Sequence, residues 1–176
     1  TVIYLGSFDT AAALFCQDEI EACTDQCIWA TIDDSQIPPT REHDDYYADE
    51  TINALIKATQ HDARFDLSHV DRITVIGDSQ LLRNFQAARG GVLQKAFKPD
   101  VKVYGAIYST MQCMMKGVCA QCLQWQVNPE TGERTKAVFT CSWQDQPLEL
   151  VDLGNFEDRL ALNTVPETLT RLLTQT

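Results

Sequence analysis

The sequence predicts an α/β fold: a parallel-sheet, three-layer domain of nucleotide-binding type, followed by a small cysteine-rich metal module containing a β-hairpin. Three observations predict it. Short β-rich apolar runs alternate with amphipathic helical stretches over residues 1–110, the pattern of parallel strands joined by helical crossovers. From residue 111 the texture changes to two alternating runs around a turn. Across that second part four cysteines are spaced C-x5-C-x2-C-x18-C, at Cys113, Cys119, Cys122 and Cys141. The expected organisation is therefore an α/β domain over 1–110, a cysteine module over 111–147 and a tail with a helix over 148–176.

Each element follows from local pattern. Residues 1–6 (TVIYLG) form a short apolar run closed by glycine, which reads as a buried strand. Asp9 or Thr10 is placed to cap a helix over 11–24, with Leu14, Phe15, Ile20 and Cys23 at helical spacing. Residues 27–32 (CIWATI) read as the next strand. Residues 33–50 are acidic and contain Pro38-Pro39, so a solvated loop is expected. A helix over 47–60 presents Ile52, Leu55, Ile56 and Thr59 on one face. Residues 71–77 (DRITVIG) and 101–107 (VKVYGAI) read as strands either side of a helix over 80–97, which Gly90-Gly91 splits or kinks. Runs at 123–127 and 136–143 form a hairpin about Asn128-Pro129-Glu130-Thr131-Gly132. An irregular stretch and one helix over 166–173 close the chain.

Composition narrows the partners. A net charge of −11 and a pI near 4.5 argue against a nucleic-acid backbone, which requires clustered Lys and Arg. Solubility is the simplest reading of that charge. No apolar run approaches the roughly 18 residues of a membrane span, and no basic, apolar signal segment opens the chain. The chain begins without Met in a strand-like run, which is expected of a processed or excised fragment. Seven cysteines without a secretion signal point to a reducing, cytoplasmic compartment in which thiols bind metal or do redox chemistry. Cys16, Cys23 and Cys27 are assigned to packing, since free cysteine is among the most buried residue types.

Thiolates select zinc or iron–sulfur clusters. The loop spacing is one residue longer than the C-x4-C-x2-C run of plant-type 2Fe–2S proteins. Lys116 offers positive charge, Gly117 allows close backbone approach, and Met111, Met114 and Met115 give a soft apolar cover. A structural zinc site usually uses two C-x2-C pairs, whereas only Cys119 and Cys122 form one here. A colourless zinc interaction module is the alternative from another class, and a thiol sensor using Cys119 and Cys122 is a third. A module of this size needs the metal as its staple.

These residues resemble the C-terminal half of the ferredoxin–NADP reductase superfamily, in the branch that ends in a cysteine cluster. That branch includes the electron-transfer subunit of dihydroorotate dehydrogenase and the small subunits of sulfide dehydrogenase-type flavoproteins. Residues 1–33 resemble its second strand, helix and third strand, 73–82 (ITVIGDSQLL) its strand–GP segment, 111–122 its cluster loop and 139–145 its closing cysteine segment. The resemblance implies a 2Fe–2S cluster on Cys113, Cys119, Cys122 and Cys141, fed by FAD on an upstream barrel domain. It places Gly77 and Asp78 at a strand's carboxyl end, where open α/β folds bind ligands. Asp78 stands where the family has Pro, and the first ligand gap is five residues rather than four. The family's glycine-rich phosphate turn would lie upstream of Thr1, so this chain alone is expected to bind NAD(P) poorly and FAD not at all. The implied activity is NAD(P)H-linked electron transfer between a flavin and a partner protein.

Other candidates read as ordinary structure. His43, His61 and His69 are scattered, and none lies near the cysteines, which argues against a Rieske centre. Asp44, Asp45, Asp49 and Glu50 read as a solvated face. Asp9 serves as a helix cap or as a ribose acceptor. Trp125 and Trp143 are expected in the module core. No G-x-S-x-G, Walker loop or H-E-x-x-H supports a hydrolase.

Overall fold

A computed structural model of the protein describes residues 1–33, 35–61, 65–107, 122–143, 145–161 and 173. The chain divides into two compact units, one of residues 1–69 with 92–98, the other of 70–91 with 99–176. The fold is mixed α/β, with small parallel and mixed sheets and a separate antiparallel hairpin.

The first unit is built on a parallel sheet ordered β1 (Ile3–Phe8), β2 (Gln26–Thr31), β3 (Asp45–Ala48). β2 is the central strand and is buried along its whole length, and its middle residues Cys27 to Ala30 form an apolar run rather than an alternation. Trp29 anchors the core with Cys27 and Ile37, and Tyr4, Phe8, Leu14, Ile20 and Tyr46 pack around them. The Tyr4 and Phe8 rings lie 5.5 and 6.3 Å from the Trp29 ring. α2 (Thr51–His61) contacts all three strands.

Two expectations change in this unit. The single helix over 11–24 is divided into a 3-10 turn, Ala11–Ala13, and a short α1, Gln17–Ala22. The Ala11 amide is drawn to the Ser35 hydroxyl at 2.7 Å, Leu14 is extended, and Cys16 is left-handed at φ 53°. That break lets Ala11, Leu14 and Ile20 all reach the Trp29 cluster. The solvated loop over 33–50 instead contains β3, in parallel register with Ile28–Thr31 of β2.

The second unit pairs β4 (Arg72–Gly77) with β5 (Lys102–Ile107) in parallel, and β5 with the short antiparallel β8 (Asp145–Pro147). α3 (Ser79–Gly90) packs on β4 and β5 through Leu82, Phe85 and Ala88. It stops at the glycine pair instead of continuing to 97. β6 (Leu123–Val127) and β7 (Arg134–Phe139) form the expected hairpin. Gly132 sits at φ 71° in its turn, and its amide reaches the Asn128 carbonyl at 2.8 Å. α4 (Leu153–Ala161) was not expected. Its signal was Asp152, whose carboxylate accepts from the Asn155 amide at 2.9 Å in an N-cap. The helix expected over 166–173 lies outside the described residues, apart from Leu173.

Candidate metal centre at the open end of the hairpin

The hairpin positions two of the expected ligands by register alone. Leu123 pairs with Phe139, and beyond that pair the Thr140 amide and hydroxyl donate to the Cys122 carbonyl at 3.2 and 3.4 Å. Cys122 therefore lies opposite Thr140, and Cys141 follows Thr140, both cysteines at the end opposite the Asn128–Gly132 turn. The Ser142 and Trp143 amides both donate to the Phe139 carbonyl, at 3.1 and 3.0 Å, so Cys141 is held in a tight turn. Cys122 is buried and Cys141 half-buried. Cys113 and Cys119 lie outside the described residues. Among the described residues no group of three or more His, Cys, Asp or Glu converges as a metal site.

Strand alternation puts Cys122, Gln124 and Gln126 on the buried side of β6. Gln126 donates to the Gln146 carboxamide at 3.0 Å. Gln124 is 1% exposed, yet neither its nitrogen nor its oxygen has a hydrogen-bond partner among the described residues. Burying such a group unpaired costs about 1–3 kcal/mol.

Trp125 and Trp143 are surface residues, each 37% exposed, rather than module core. The Arg134 guanidinium lies over the Trp125 ring at 5.6 Å and the Lys136 ammonium over Trp143 at 4.6 Å. These cations keep the ring faces covered at an exposed position.

Gly77 and Asp78 lie at the carboxyl end of β4, as expected from their place in the sequence. Asp78 is the N-cap of α3, its carboxylate accepting from the Leu81 amide at 2.8 Å. The space a Cβ on Gly77 would need is taken by Leu81, whose Cδ2 lies 2.6 Å from that position. The local role of both residues is thus to join strand to helix, and an arriving phosphate would face the Asp78 carboxylate.

A buried polar cluster in the first unit had no clear sequence signal. Asp44 has no solvent exposure and pairs in bidentate fashion with Arg41, at 2.8 and 2.9 Å. Its Oδ1 also accepts from the Cys27 amide at 2.8 Å. The Arg41 guanidinium donates onward to the Glu21 and Thr24 carbonyls at 2.6 and 2.7 Å, tying the end of α1 to the start of β2. Burial pushes the Cys27 thiol up, against the lowering effect of its Thr24 hydrogen bond, so it stays neutral. Cys16 and Cys23 are exposed, which corrects their assignment to packing; Cys27 alone of the three is core. At the carboxyl ends of β1 and β2, Asp33 accepts from the Ser35 amide and hydroxyl, and the Asp33 amide donates to the Asp9 carbonyl at 3.2 Å. Asp9 caps no helix, and its side chain is exposed.

No family model matches the chain. It is similar to an uncharacterized protein of Rickettsia prowazekii (strain Madrid E), 30% identical over 119 residues, which is 67% of this chain. The chain spans 15% of that protein's length.

Proposed function

We propose that this chain is the nucleotide-domain and cluster-bearing part of an NAD(P)H-linked FAD/iron–sulfur oxidoreductase, passing electrons between a flavin and a partner protein. The observation that carries the reading is the placement of Cys122 and Cys141 at the same open end of the hairpin. In this reading Cys113 and Cys119, from the preceding loop, complete a four-thiolate set. A 2Fe–2S group supplies one-electron chemistry when bound. The chain's own residues hold it and keep it dry: the ladder from Leu123 to Phe139 spaces two thiols, and burial around Cys122 limits water. FAD belongs to an upstream domain.

The nucleotide reading is supported by the parallel strands and their crossovers, with Gly77 and Asp78 at one carboxyl end and Asp9 and Asp33 at another. Acidic groups there suit ribose hydroxyls better than a second phosphate, which favours NAD over NADP. The cation-covered tryptophans give the hairpin surface aromatic and basic groups of the kind enriched at protein interfaces. A redox partner would dock there. Among the described residues no helix is long and apolar enough to cross a membrane.

The test is metal analysis with visible and EPR spectra on protein purified anaerobically. Red-brown protein with about two irons per chain and a rhombic signal on reduction is expected, lost in Cys122→Ser and Cys141→Ser. A colourless chain with one tight zinc would instead assign a structural module. Metal-free protein with a reversible Cys119–Cys122 disulfide would assign a thiol sensor.

A further inference from the structure

We draw no further inference here: the strongest candidate, the solvent-facing side of the β4–β5 pair, where Arg72, Thr74 and Ile76 are exposed along β4, carries nothing because nothing in the structure shows what covers it.

Discussion

Asp44 holds a charge at a position with no solvent exposure, and each of its contacts is needed to keep it there. An unpaired buried carboxylate would be strongly unfavourable. Here the Arg41 guanidinium matches it in a bidentate fork and the Cys27 amide adds a third donor. Burial pushes the Asp44 carboxyl up, but these hydrogen bonds and the nearby positive charge outweigh it and hold it below its ordinary value of 3.8. A lowered carboxylate pKa means the unfolded chain binds more protons, so stability rises with pH through this window. The contribution is complete above the ordinary carboxylate range and is lost as pH falls through the lowered native value. Asp44→Asn should destabilise the protein by about 2 kcal/mol at neutral pH. Urea unfolding checks this, and the gap between wild type and variant should narrow as pH drops below 4. Sequence reading placed Asp44 on a solvated face because its neighbours Asp45, Asp49 and Glu50 are also acidic. Its arginine lies only three residues earlier, but the Cys27 amide that completes its contacts is 17 residues away.

Among elements, the β4–α3–β5 crossover is the most legible and the most constrained. Asp78 marks its helix start, the glycine pair its stop, and the apolar run over 101–107 its second strand. Gly105 sits in the middle of β5, with a Cβ position 2.7 Å from Leu82 Cδ2 and 2.9 Å from Leu148 Cδ1. Both neighbours are fully buried, which limits their freedom to give way. Gly105→Ala should therefore cost about 1–3 kcal/mol by overpacking, read as a lower midpoint in chemical denaturation. A gain in stability would show that the α3–β5 contact is looser than these distances indicate. By contrast α1 was misread as a long helix. Its apolar spacing is genuine, but the chain breaks between its two pieces, where Leu14 is extended and Cys16 is left-handed.

At the scale of the whole molecule, the chain passes between two compact units after His69, Gly91 and Lys98. The proposed centre belongs entirely to the second. Removing its metal should therefore loosen the hairpin selectively, since a small module relies on its metal for order. Hydrogen exchange should speed up roughly tenfold or more in Leu123–Val127 and Arg134–Phe139 on chelation, while Gln26–Thr31 keeps its protection. Equal loss of protection in both regions would mean that the metal supports the whole fold.

Periodicity, turn residues and cysteine spacing were enough to read the strand–helix alternation, the hairpin with its Gly132 turn and the two cysteines that end it. Those features depend on neighbours a few residues away, or on the strict two-residue repeat of a strand. The break in α1, the third strand of the first sheet, the antiparallel β8 and the buried Asp44–Arg41 pair required the tertiary structure. So did the orphaned Gln124 amide and the surface position of Trp125 and Trp143. For the strands the deciding partner is distant in sequence, and for the side chains burial is set by what packs over them, which local pattern does not encode.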